Sequence, residues 1–97
     1  MGKTTPEQDL LRDLESYACG EIPSALELLR APLIEDWSTE VRRVGKEFKL
    51  VVQGLAKRHP EYDDGEMMGT PAVIWFDRHG RFVRCPMRLY ALGHAAE

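Results

Sequence analysis

The segment from residue 67 to residue 93, MMGTPAVIWFDRHGRFVRCPMRLYALG, constrains the fold of this chain more than any other. Two runs of apolar and β-branched residues flank the tetrapeptide DRHG at 77–80, whose composition is typical of a tight turn closed by glycine. The pattern predicts a β-hairpin with strands at about 67–76 and 81–91. Pro86 has no N–H for a ladder, so the returning strand should lie at a sheet edge or be bulged. Because a two-stranded hairpin is marginal alone in water, the preceding residues must supply a third strand or a covering helix.

Length and composition limit what can surround this hairpin. A chain of 97 residues with 43% hydrophobic and 30% charged residues predicts one ordered domain, spanning 1–97. The uncharged apolar run at 67–76 is about half of what a transmembrane helix needs, and the amino terminus has no basic and apolar signal pattern. We therefore expect a cytoplasmic protein without a membrane partner.

Two capping patterns predict helices in the first third of the chain. Thr5-Pro6-Glu7-Gln8 forms a capping box with proline at the first helical position, and an apolar stripe follows it, which predicts a helix at 6–19. Ser24-Ala25-Leu26-Glu27 repeats the box and predicts a helix at 24–30 that ends before Pro32. Residues 1–5 and 94–97 are expected to be frayed.

The segment 38–59 is ambiguous from its pattern alone. Its valines, with Phe48 and Leu55, fall at helical spacing, which favours a long amphipathic helix. Gly45 and Gly54 each cost about 1 kcal/mol in a helix interior, and the run 48–52 also alternates as a strand does.

Charge is segregated along the chain. Residues 1–36 carry three basic and eight acidic residues, residues 37–60 six basic and two acidic, residues 61–77 five acidic and no basic, and residues 78–97 four arginines and one glutamate. Alternating blocks of this kind either attract one another within the fold or give the surface an acidic and a basic face. The formal net charge of −3 argues against bulk attraction to nucleic acid.

Four short motifs lie in an order that resembles a family of small, uncharacterised proteins of alphaproteobacteria. They are APLIEDW at 31–37, GLAKRHPEYDDG at 54–65, TP at 70–71 and RCPMRLYALG at 84–93. The sequence departs from the family pattern at Gly69-Thr70, Cys85 and Met87. The family carries a domain-of-unknown-function label, so the resemblance implies no activity. It implies a strand rather than a helix at 47–57, and with it an α+β fold in which two N-terminal helices pack on a three-stranded antiparallel β-meander.

No motif predicts a catalytic, cofactor or metal site. The histidines and cysteines, His59, His79, His94, Cys19 and Cys85, are separated along the chain and show no zinc-ligand spacing. Arg84 and Arg88 could activate Cys85 as a thiolate, but position 91 holds alanine where a C-x5-R phosphate loop needs arginine. The acidic run 61–66 does not match a calcium loop.

The returning strand carries the pattern most typical of a binding surface. Alternation along 81–90 places Phe82, Arg84, Arg88 and Tyr90 on one face, an aromatic and arginine stripe of the kind enriched in interface hot spots. The stripe either binds a protein partner, stacks on nucleic acid, or is internal, with the arginines paired to the acidic first helix.

The leading hypothesis is a small non-enzymatic interaction module that binds a protein partner through a face or an edge of its sheet. An open edge would also permit a homodimer. The alternatives are a nucleic-acid-associated regulator using Lys49, Lys57, Arg58, Arg84 and Arg88, and an accessory protein of a phage or mobile element that inhibits a host complex. An enzyme is the least favoured class.

Overall fold

The computed structural model describes residues 5–97 and contains two helices and six strands. The predicted fraying of residues 1–5 lies outside the described residues except at Thr5, which is hydrogen-bonded to Gln8 as the N-cap of the first helix. The elements in chain order are α1 (Pro6–Ala18), α2 (Ala25–Arg30), β1 (Leu33–Val44), β2 (Glu47–Lys57), β3 (Met67–Gly69), β4 (Trp75–Phe76), β5 (Phe82–Arg84) and β6 (Leu89–Leu92). The chain is thus a small α+β protein.

Both helices begin where their capping residues predict. The Thr5 hydroxyl accepts a hydrogen bond from the backbone N–H of Gln8, and the Gln8 side chain accepts one from the backbone N–H of Thr5, which completes the capping box of α1. The Ser24 hydroxyl caps α2 by accepting a hydrogen bond from the N–H of Glu27, and the Glu27 carboxylate accepts one from that hydroxyl. The predicted helices are therefore confirmed to within one residue at each end.

The predicted three-stranded meander is wrong, because the six strands form one mixed sheet in the order β3-β2-β1-β6-β5-β4. Strand β1 pairs with β6 in parallel, and the other neighbours pair antiparallel. Each strand predicted in the last third is divided in two. The segment around Pro71 separates β3 from β4, and a tight turn containing Pro86 separates β5 from β6, where the Cys85 N–H donates to the Arg88 carbonyl.

Other parts of the prediction are confirmed. The turn at 77–80 joins β4 to β5, with Gly80 at a φ of +68° and its N–H bonded to the Asp77 carbonyl. The segment 47–57 is the strand β2, as the family resemblance implies, and the long helix that the spacing at 38–59 favours does not form.

The sheet curls until its two ends meet. Val73 and Ile74 are consecutive, yet the Val73 N–H donates to the carbonyl of Leu50 in β2 while the Ile74 N–H donates to the carbonyl of Arg84 in β5. A flat sheet would hold β2 and β5 about 14 Å apart. The segment between β3 and β4 therefore closes the sheet into a barrel-like layer.

The interior face of this layer is the hydrophobic core. Its cluster consists of Ile34, Val52, Ala56, Met68, Val83, Cys85, Tyr90 and Leu92. The Trp37 and Phe76 rings, from strands β1 and β4, pack against this cluster with their centroids 5.7 Å apart. Helix α1 lies on the other side of the sheet, where the Tyr17 ring contacts Phe82 and Trp75 at centroid distances of 5.0 and 5.7 Å.

A bulge interrupts β1 near the start of the strand. The register with β2 shifts between Glu35 and Ser38, and Asp36 takes a φ of +54°. Gly54 lies against this bulge, and a Cβ there would be 2.6 Å from the Glu35 carbonyl oxygen. The bulge therefore requires a residue without a side chain at position 54.

The carboxyl-terminal residues continue beyond β6 beside the bulge. The Trp37 N–H donates to the His94 carbonyl, and the Ala96 N–H donates to the Trp37 carbonyl at 2.7 Å. The indole N–H of Trp37 donates to the Gly93 carbonyl at 3.0 Å. Residues 94–96, which the sequence analysis expects to be frayed, are thus bonded to β1.

Candidate protein-interaction surface

The predicted stripe does not form one exposed face. Phe82, Arg84 and Tyr90 are buried, with 1%, 5% and 3% of their surfaces exposed, and Arg88 alone is half-buried. The predicted alternation is wrong because the turn at 85–88 divides the strand in two, so that residues before and after the turn no longer alternate in one series. Tyr90 consequently lies opposite Val83 on the core face, whereas Phe82 and Arg84 lie on the face covered by α1.

Arg84 is bound within the fold. Its Nε lies 3.0 Å from an oxygen of the Asp13 carboxylate in α1, and its guanidinium also donates to the Cys85 carbonyl. Burial, reinforced by the neighbouring Asp13, raises the pKa of Tyr17 to about 12. Arg84 is therefore paired internally with the acidic first helix, one of the three outcomes that its sequence pattern allows.

Within the second predicted set, Arg58 and Arg88 line one shallow cavity, whereas the other three cations are not part of it. Lys49 and Lys57 stand eight residues apart on β2, about 27 Å along the strand. Arg58 donates from its guanidinium to the carbonyl oxygens at the end of α2, with its Nη2 3.2 Å from that of Ala31. With Arg84 buried, the five predicted cations form no common patch.

The feature that sequence reasoning missed is the distal part of the β1–β2 hairpin. We call residues 39–50 the arm; every residue from 39 to 48 is exposed. A two-residue turn at Gly45 and Lys46 joins the strands, with Gly45 at a φ of +63° as a type II′ turn requires. The arm thus extends two paired strands beyond the body of the sheet.

One face of the arm is apolar. The register places Val41 opposite Leu50 and Arg43 opposite Phe48, and because paired residues share a face, these side chains lie on the same face as core residue Val52. Phe48 and Val41 are 72% and 63% exposed, and Leu50 is half-buried. The interior face of the layer therefore continues outward as an uncovered apolar surface, which we call the arm face.

The other face of the arm is charged. Arg42 lies 3.2 Å from Glu40 and Lys49 lies 3.4 Å from Glu47, each measured from the cationic nitrogen to the nearest carboxylate oxygen. Arg42 and Lys49 are opposite each other in the ladder, which places two like charges side by side. With Arg43 and Lys46, the arm has four basic and two acidic residues.

The comparisons with known proteins assign no family. No family model matches the chain, and no curated protein and no solved structure is significantly similar to it. The resemblance drawn from the four short motifs stays a prediction. The arm must be interpreted from its own geometry.

Away from the arm, two shallow cavities of about 430 and 440 Å³ share Arg88 as a common wall. In the second cavity the His59 ring packs on Tyr62 and Tyr90, with centroids 4.8 and 6.0 Å away. Burial and the nearby Arg88 lower the pKa of His59, which favours the neutral imidazole. Burial raises the pKa of the Cys85 thiol to about 11, so this group is protonated at neutral pH.

Within residues 5–97, no cluster of three or more histidine, cysteine, aspartate or glutamate side chains has a geometry that could hold a metal ion. None of the helices in the described part of the chain is long and apolar enough to cross a membrane.

Proposed function

We propose that the protein is a small non-enzymatic interaction module and that the arm face is the surface that binds its protein partner. The observation that carries the proposal is the exposure of Val41 and Phe48 on a face continuous with the core. Apolar surface that continues a core but has no cover is typical of a protein interaction site. The proposal keeps the predicted interaction through a face of the sheet, but it places that face on the arm instead of the returning strand.

The arm face suits a partner that has a flat apolar surface with acidic residues around it. Burying the side chains of Val41, Phe48 and Leu50 would contribute about 1.5–3 kcal/mol for each chain that becomes fully buried. Arg43 lies on the same face, and Lys46 at the tip lies beside it. Carboxylates on the partner would pair with these two cations and orient the contact.

Nucleic acid is the second candidate, and the shape of the arm is what favours it. A two-stranded β-ribbon fits the major groove of B-DNA, and the arm carries four cations. Two of those four are already paired with glutamates on the same strand, which weakens their attraction to phosphate. For this reason we place the protein partner first.

Replacement of Phe48 by serine tests the proposal. The variant removes the largest exposed apolar side chain of the arm, so we expect it to lose the proteins that the wild type captures from the native host. With a purified partner, the dissociation constant should rise by about tenfold or more, as for an interface hot spot. The thermal midpoint should change by no more than a few degrees, because the side chain is 72% exposed.

The matched control is Leu11→Ser, which removes a side chain of comparable exposure, 60%, from α1. Capture that survives in Leu11→Ser and after nuclease treatment, but not in Phe48→Ser, supports the proposal. Capture that survives in Phe48→Ser contradicts it. If capture disappears after nuclease treatment, the arm binds nucleic acid instead of a protein partner.

A further inference from the structure

We propose that the free edge of β1 pairs with the same edge of a second copy of this chain, antiparallel, with Val41 on the two-fold axis. This pairing uses the backbone of the arm and not the arm face, so it goes beyond the proposed partner contact.

The edge of β1 that faces away from β2 is open along the arm. Strand β6 pairs with this side only at Leu33 and Ile34, and residues 94–96 pair with it only at Trp37. Among the described residues, none is bonded to this side between positions 38 and 44. A row of unpaired N–H and C=O groups is a template for another strand.

The open groups belong to Thr39, Val41 and Arg43. Along a strand, the N–H and C=O of successive residues point alternately to the two sides. Trp37 donates and accepts on the open side, through His94 and Ala96, so positions 39, 41 and 43 point the same way.

The bonds of β2 give the same assignment independently. The carbonyls of Leu50 and Val52 accept from Val73 and Thr70 on the far side of β2, so the odd-numbered residues of β2 face β1. The register pairs those odd residues with even-numbered residues of β1, such as Glu40 with Val51. The odd-numbered residues of the β1 arm therefore face outward.

Charge selects one register for a symmetric pair. An axis through position 40 would put Glu40 against Glu40, and an axis through position 42 would put Arg42 against Arg42. An axis through Val41 puts Glu40 of each copy opposite Arg42 of the other, twice. Opposite charges placed directly across an antiparallel ladder are stabilising and like charges are destabilising. The segment STEVRRV at 38–44 is thus self-complementary in a single register.

The same register also satisfies the backbone. Thr39 pairs with Arg43 of the second copy, Val41 with Val41, and Arg43 with Thr39. Each pair exchanges two hydrogen bonds. The pairing ends where Ser38 meets Val44, next to the part of the edge that residues 94–96 occupy at Trp37.

The resulting four-stranded ribbon joins the two arm faces. In each copy Val41 lies opposite Leu50, so the row across the two-fold axis is Leu50, Val41, Val41, Leu50. The second copy also supplies Arg42 with a second carboxylate, in addition to that of its own Glu40, which further offsets the like charge of Lys49 across the ladder.

Charge reversal with analytical ultracentrifugation tests the register. Glu40→Arg and Arg42→Glu should each weaken self-association by about tenfold or more, because each turns two attractions into two repulsions. An equimolar mixture of the two variants should associate again, and the double variant Glu40→Arg/Arg42→Glu should dimerise alone. The matched control is Glu47→Arg, which makes the same charge change on β2 away from the edge and should leave dimerisation unchanged.

Cysteine cross-linking in a Cys19→Ser background tests the axis. Val41→Cys should form a disulfide-linked dimer, since Cα atoms of a hydrogen-bonded antiparallel pair lie about 5.5 Å apart. Glu40→Cys and Arg42→Cys should cross-link only when mixed.

A wild-type chain that sediments as a monomer throughout its soluble range would overturn the inference. So would dimers that Glu40→Arg and Glu47→Arg affect equally, or a Val41→Cys variant that does not cross-link. If the dimer fails in these ways while Phe48→Ser still abolishes partner capture, the proposed function stands without it. If the dimer forms but Phe48→Ser captures as wild type does, the proposed function fails and the dimer stands.

Discussion

At the scale of single residues, the fold depends on a few polar groups placed against apolar surroundings. Arg84 is 5% exposed and Asp13 supplies its carboxylate partner from α1. Gly54 permits the β1 bulge. The His59 ring packs on Tyr62 and Tyr90, and its lowered pKa favours the neutral imidazole. The sequence leaves two outcomes open for Arg84, an exposed stripe and an internal pair with the acidic first helix. It cannot predict that the turn at 85–88 directs Arg84 toward the first helix.

Replacement of Asp13 by alanine should destabilise the protein by about 2–4 kcal/mol, because the Arg84 guanidinium would be left buried without its carboxylate. Chemical denaturation monitored by circular dichroism measures the free energy of unfolding. Glu15→Ala, an exposed position on the same helix, is the control and should change it by about 0.5 kcal/mol or less. Equal effects of the two substitutions would show that the buried pair contributes nothing beyond helix propensity.

His59 should make stability depend on pH in mild acid. Burial and Arg88 lower its pKa in the folded state, so the unfolded chain binds the proton more readily. The contribution of His59 is complete above its unfolded pKa of about 6.5 and is lost as the pH falls below that value. The free energy of unfolding of the wild type should decrease from neutral pH through this range. His59→Gln should make the free energy of unfolding less dependent on pH in this range. If the dependence is unchanged, it comes from other titratable groups.

At the scale of elements, the sequence predicts what is local. Thr5 with Gln8 defines the start of α1, Ser24 defines that of α2, and the composition of 77–80 defines a turn. The sequence does not predict which strands pair when the paired strands are far apart in the chain. Strands β3 and β4 have three and two residues, too few for alternation to show, and the parallel pairing of β1 with β6 joins distant segments.

The arm was missed for a related reason. Val41, Val44 and Phe48 fit helical spacing, and in a helix Gly45 would only be unfavourable. The same glycine is favourable at the first central position of a type II′ turn, which is where it lies. That glycine, between two segments in which apolar and charged residues alternate (EVR at 40–42 and EFKL at 47–50), is the signal that could have located the hairpin.

Gly54→Ala tests whether the bulge requires a bare backbone. The added Cβ would lie 2.6 Å from the Glu35 carbonyl oxygen and 2.7 Å from Cγ2 of Ile34, so either β1 or β2 must move. We expect a loss of about 2–3 kcal/mol in the free energy of unfolding. Gly69→Ala is the matched control, since nothing lies within 4 Å of a Cβ at that position, and it should be nearly neutral. A neutral Gly54→Ala would show that the bulge yields without cost.

At the scale of the whole molecule, the segregated charge of the chain has two outcomes. The acidic first block supplies Asp13 to Arg84, which is the internal attraction that the sequence allows. The basic second block instead lies largely on the arm, where Arg43 shares the uncovered apolar face and Arg42 and Lys49 lie on the opposite face. The arm extends beyond the curled sheet, and we propose that the protein interacts through it.

Residue-resolved amide hydrogen exchange of the wild-type chain, at low and at high protein concentration, tests that assignment most directly. Glu40 and Arg42 face β2 and should be protected at both concentrations. Thr39, Val41 and Arg43 face the open edge, so their amides should exchange rapidly at low concentration and become protected at high concentration. Rapid exchange of these three amides at every concentration would contradict the account of the arm as a strand that recruits a second copy.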